Sequence, residues 1–90
     1  MTYYIEGLDY RTLDNELRSL FETAPELSSD ANPMFDNDTW EDVYAYVEIE
    51  DEGLGFVVEY DGTMRFVHDL LAEFLDLIAD EYNGTFVDNY

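Results

Sequence analysis

A chain of 90 residues that sets 23 acidic side chains against three basic ones, for a formal charge of −20, has no means of neutralising phosphate, which argues against direct binding to nucleic acid or to an anionic membrane surface. It is not an acidic tail either: 47% of its residues are apolar and 17% aromatic, enough for one core, and hence one domain over residues 1–90, with little stability to spare. Without cysteine there is no disulfide framework, thiol nucleophile or zinc-thiolate site, and no secretory leader or membrane span is evident, so a soluble cytoplasmic protein is expected.

Thr2 to Glu6 alternates polar with aromatic and β-branched residues, the pattern of a short strand ending at Gly7. A helix follows, with Thr12 placed to cap it and Leu13, Leu17, Leu20, Phe21 and Ala24 spaced to form its buried stripe up to Pro25. Arg18 stands four residues from both Asp14 and Glu22, so local pairing is expected to occupy it. Residues 25–39 read as a long loop, with Asp36, Asp38, Glu41 and Asp42 making this part of the chain locally very acidic. The calcium-loop pattern fails there for want of a glycine and a closing glutamate at the required places. Trp40 fits either a further helical turn or an anchor on the core.

From Val43 to Glu50 the alternation is strict, with Val43, Ala45, Val47 and Ile49 on one face and Tyr44, Tyr46, Glu48 and Glu50 on the other. Asp51-Glu52-Gly53 supplies a turn, and Phe56, Val58 and Tyr60 continue the inward face on a returning strand. Asp61-Gly62 leads into the strongest signal in the chain, Thr63 to Tyr82. Val67, Leu70, Leu71, Phe74, Leu75, Leu77 and Ile78 fill one broad face of a helix there, while Asp69, Glu73, Asp76 and Asp80 fall within a stripe ~60° wide on the other. Asn83-Gly84 stops this helix before a last strand at Thr85 to Val87. The sequons Asn37-Asp38-Thr39 and Asn83-Gly84-Thr85 read more simply as two turns.

The order β-α-β-β-α-β is that of an α+β, ferredoxin-like split arrangement, in which two helices cover one face of a four-stranded antiparallel sheet. The open face would carry Tyr4, Tyr44, Tyr46, Glu48, Glu50, Val57 and Glu59, a surface for a partner or for a weak homodimer if the protein is not a monomer. In this order, and in two segments, the chain resembles the RNA-recognition-motif family. Tyr3-Tyr4-Ile5-Glu6-Gly7-Leu8 is similar to its first-strand hexamer, and Glu52-Gly53-Leu54-Gly55-Phe56-Val57-Val58-Glu59 to its third-strand octamer. The departures fall on the chemistry. Glu52 stands where the octamer holds phosphate with Lys or Arg, Leu54 replaces a stacking aromatic and Glu59 the final one, leaving Tyr4 and Phe56 as the residues able to stack. The resemblance supports the fold and speaks against RNA binding.

Enzyme chemistry has little to build on. His68 is the one histidine, no serine lies in a nucleophile motif, and no glycine loop precedes a helix to cradle phosphate. No metal or cofactor is expected. What remains is charge held in rows: Asp69, Glu73, Asp76 and Asp80 on the last helix, Glu48, Glu50, Asp51, Glu52 and Glu59 on the hairpin, and Asp36, Asp38, Glu41 and Asp42 before it. In size and charge the chain resembles small phage-encoded acidic DNA mimics, the anti-restriction and anti-CRISPR inhibitors. That resemblance implies an inhibitor whose partner is a basic nucleic-acid-binding protein, with these carboxylates standing in for phosphates. Two other readings fit the same charge: an immunity protein or antitoxin steered onto a basic toxin, and an ordinary domain of a halophile.

Overall fold

The computed structural model describes residues 2–24 and 40–90. The loop reading of residues 25–39, with Asp36, Asp38 and the first sequon, lies outside them. The elements are β1 (Thr2–Glu6), α1 (Tyr10–Thr23), α2 (Trp40–Tyr44), β2 (Val47–Asp51), β3 (Gly55–Tyr60), α3 (Arg65–Glu81) and β4 (Thr85–Val87). This is an α+β fold in which three helices accompany one antiparallel sheet of four strands, ordered β2-β3-β1-β4.

Strand period decides which side chains meet. Tyr3 and Ile5 alternate inward along β1, opposite Val58 and Phe56 of β3, and with Tyr60 they give the sheet one apolar face. Leu13, Leu17 and Phe21 of α1 and seven residues of α3 from Val67 to Ala79 close over that face. Phe21 meets Phe74 edge to face at 4.9 Å between centroids, locking the two helices together. Across the layers, the Tyr3 hydroxyl donates to the His68 carbonyl at 3.0 Å.

Four expectations need correction. α1 begins earlier than the Thr12 cap implies: Asp9 is the N-cap, its carboxylate accepting from the Thr12 N–H at 2.8 Å, an Asp being at least as good a cap as a Thr. Val43 and Tyr44 belong to α2, not to a strand. Both are buried although they are adjacent, which a helical turn allows and a half-buried strand does not, and β2 starts only at Val47. Tyr44 is therefore core rather than open face, and Tyr46, in the turn before β2, sets its ring edge-on to Tyr60. Finally, Leu77 is 52% exposed, because the apolar sector of α3 is wider than the surface available to cover it.

The C-terminus of α3 is built as the Asn83-Gly84 pair implies. Asn83 takes the left-handed conformation (φ 57) and the Gly84 N–H reaches back to the Ala79 carbonyl at 2.7 Å, the paired bonds of a Schellman stop. Gly84 then passes so close to Gly7 (φ 105) that a Cβ on Gly7 would lie 2.6 Å from its Cα.

Candidate functional site

The acidic row on α3 stands where helical period puts it. Asp69, Glu73, Asp76 and Asp80 are all exposed, on the side opposite the buried residues Val67, Leu71, Phe74 and Ile78. Seven buried residues anchor the helix beneath them, so the carboxylates sit on a fixed frame. Among the described residues none of the four is in an ion pair; the one such pair joins Arg18 to Asp14.

The hairpin acids face another way. Glu48 pairs across the ladder with Glu59, which is paired in turn with Thr2, whose hydroxyl donates to the Glu59 carboxylate at 3.3 Å. Glu50 pairs with Val57, and Val57 with Tyr4. These rows lie on the sheet face turned away from the helices, so the row on α3 and the acids of the sheet occupy opposite surfaces and do not merge into one. Glu48 facing Glu59 sets like charges side by side, an arrangement that costs stability. Asp51 ends β2 and Glu52 begins the turn: the Asp51 carboxylate accepts from the Gly53 N–H at 2.8 Å and the Glu52 N–H donates to the Gly55 carbonyl at 2.9 Å. Glu41 and Asp42 lie in the first turn of α2, where the helix dipole favours negative charge.

The open face is also less bare than its sequence implies. Tyr90 stacks on Tyr4 at 4.8 Å between centroids and donates its backbone N–H to the Thr2 carbonyl. The Tyr4 hydroxyl donates to Glu6 at 2.8 Å, and this bond to a carboxylate raises the phenol's pKa. Phe56 pairs with Ile5 on the helix side while Tyr4 pairs with Val57 on the other. The two aromatics that the RNA-recognition motif would need together thus lie on opposite faces.

One constellation escaped the sequence reading. Between α1, α2 and β2 an open cleft of about 470 Å³ is lined by Tyr10, Asp14, Arg18, Glu41, Tyr44, Ala45, Val47 and Ile49. On its wall Asp14 accepts from the Tyr44 hydroxyl at 2.8 Å with one oxygen and from the Arg18 Nε at 3.1 Å with the other, and the guanidinium lies 4.7 Å from the Tyr44 ring centroid. Burial first, and then the bond to Asp14, pushes the Tyr44 hydroxyl well above its ordinary range. The i, i+4 spacing of Asp14 and Arg18 was visible in the sequence; Tyr44, 30 residues away, was hidden by its strand-like surroundings.

His68 sets its ring edge-on to Tyr60 at 5.0 Å, with Nδ1 buried and without a hydrogen-bond partner among the described residues. Among those residues no group of three or more His, Asp or Glu side chains is placed to hold a metal ion, and no helix is long and apolar enough to cross a membrane. Comparison with protein-family models, with curated proteins and with solved structures yields no match to this chain.

Proposed function

We propose that this protein is an acidic nucleic-acid mimic, an inhibitor that occupies the DNA-binding groove of a CRISPR or restriction effector and keeps nucleic acid out. The observation that carries the reading is the α3 row: four exposed carboxylates on an anchored helix, none in an ion pair among the described residues. They span ~16 Å of axis at one charge per ~5.5 Å, against ~3.4 Å for one strand of duplex DNA. The row is therefore sparser than a single strand, enough to engage a line of Lys and Arg on one wall of a groove but not both walls of a duplex site. The acids on the opposite sheet face, Glu48, Glu50 and Glu59, would meet the second wall.

In this reading the protein has no catalytic role. It acts in the cytoplasm, where such effectors meet DNA, and its partner is a Lys- and Arg-lined groove. The fold behind it is the ferredoxin-like split arrangement, with α2 as an addition; the strand order, with β3 between β1 and β2, supports this. Capture of the partner from the native host, followed by titration of the complex with DNA, tests the proposal. Competition with DNA that weakens steeply as salt is raised agrees with it. Simultaneous binding of DNA and protein contradicts it, and capture of a basic toxin would assign the protein to the immunity class instead.

A further inference from the structure

The edge of the sheet offers a second way of engaging a partner, one that does not depend on mimicry of nucleic acid. β2 is an edge strand. The phase of its ladder follows from two bonds at its ends: the Asp61 N–H donates to the Tyr46 carbonyl and the Glu52 N–H to the Gly55 carbonyl. Antiparallel ladders alternate, so Glu48 and Glu50 bond to β3 while the N–H and C=O groups of Val47, Ile49 and Asp51 point outward. An outward row of this kind is a template for one more strand.

The side chains around that row determine what kind of strand fits. Val47 and Ile49 turn to the helix side and form part of the open cleft, where Tyr10, Tyr44 and Ala45 present aromatic and aliphatic surface beside them. Glu48 and Glu50 turn to the other face and are exposed. A residue directly opposite on an added strand places its Cβ ~5 Å from theirs. We propose that β2 takes up an extended segment of a partner protein in which cationic residues, opposite Glu48 and Glu50, alternate with apolar residues that enter the cleft. A second copy of this chain is a poor occupant: antiparallel pairing of two β2 strands on a twofold axis sets Glu48 against Glu50 of the partner copy, between molecules each of charge −20.

The probe is an acetylated and amidated hexapeptide of alternating Lys and Val, titrated into the full chain labelled with ¹⁵N and followed by amide shifts and hydrogen exchange. Two controls keep charge and composition constant, one with the three Lys and the three Val in separate blocks and one N-methylated at Val, the positions whose N–H groups would bond to β2. The expected result is slowed exchange and shifted resonances at Val47, Ile49 and Asp51, with the N-methylated control binding at least ~10-fold more weakly, the scale set by losing two or three main-chain hydrogen bonds. The control in separate blocks, which keeps those bonds but loses the alternation, should also bind more weakly than the alternating peptide. Glu48→Gln with Glu50→Gln, at exposed positions that leave the core untouched, should weaken the alternating peptide and spare the fold. Equal binding of all three peptides, no binding at millimolar peptide, or shifts confined to α3 would each overturn the proposal. So would amides at Val47, Ile49 and Asp51 that are already protected in the free protein, since that would mean that residues 25–39 or a second copy occupies the edge.

Discussion

The Tyr44 hydroxyl donates to Asp14 at 2.8 Å while Arg18 holds the other oxygen of the same carboxylate, tying α2 to α1 across 30 residues of sequence. Because Tyr44 is buried and its donor is directed at a carboxylate, Tyr44→Phe should lower stability by about 1–2 kcal/mol. Urea unfolding at neutral pH checks this, with a shift of midpoint and no change of slope expected.

The same contact gives a pH dependence with a definite sign. Burial and Asp14 raise the folded-state pKa of Tyr44 above its ordinary value near 10. The folded protein thus retains a proton that the unfolded chain releases. The stabilisation is fully present below about pH 10 and is lost as pH rises toward the folded-state value. Thermal unfolding followed from pH 8 to 12 should show stability falling above pH 10, with a shallower fall in Tyr44→Phe. Among the eight tyrosines, ultraviolet titration should find Tyr44 ionising only as the fold is lost.

Replacing the α3 row by Asp69→Asn, Glu73→Gln, Asp76→Asn and Asp80→Asn together should stabilise the protein. Three neighbouring like-charge pairs are relieved, each by a few tenths of a kcal/mol, for about 1 kcal/mol in total. All four positions are exposed, so the core is unaffected. A rise in the thermal midpoint combined with loss of inhibition would mark the row as a feature held for binding at the expense of the fold.

Salt should act in the same direction. At −20 the folded chain repels itself, and raising ionic strength from 0.01 M to 1 M shortens the screening length from ~30 Å to ~3 Å. The thermal midpoint should climb over that range, since one ion pair among the described residues stands to be weakened. The protein should nevertheless be cooperatively folded at ~0.15 M salt, where the screening length is ~8 Å; failure to fold there would favour adaptation to molar salt as the origin of the acidity.

Gly7 and Gly53 both have positive φ, 105 and 87, but differ in their surroundings. A Cβ at Gly53 would meet nothing within 4 Å, whereas one at Gly7 would press on the Gly84 backbone. Gly53→Ala should cost about 1–2 kcal/mol, the strain of a left-handed residue alone. Gly7→Ala should cost at least ~1 kcal/mol more, because the backbone at the start of β4 must give way as well. Paired denaturant titrations of the two variants separate strain from crowding.

β1, β3, α3 and β4 could be read directly and stand where alternation or a broad apolar stripe put them, whereas β2 was read four residues too long at its start. The misreadings cluster where period is ambiguous. The strict alternation from Val43 to Glu50 runs back over the last two residues of a helical turn, and burial of Val43 and Tyr44 side by side distinguishes the two only once the fold is known. The exposure of the α3 row was legible because helix geometry is local. Its separation from the hairpin acids was not, because it depends on which face of the sheet the helices cover. The cleft with Asp14, Arg18 and Tyr44 was hidden for the same reason, being assembled from three elements.

The central claim, that rows of carboxylates stand in for phosphates, is tested most directly by competition between this protein and labelled DNA for the captured partner. The unmodified chain would be compared with the α3 variant and with Glu48→Gln, Glu50→Gln and Glu59→Gln combined. The account predicts that the α3 variant competes at least ~10-fold less well, that the sheet variant loses less, and that both differences shrink as salt is raised. Competition unchanged by neutralising the α3 row, at any salt concentration, would contradict it.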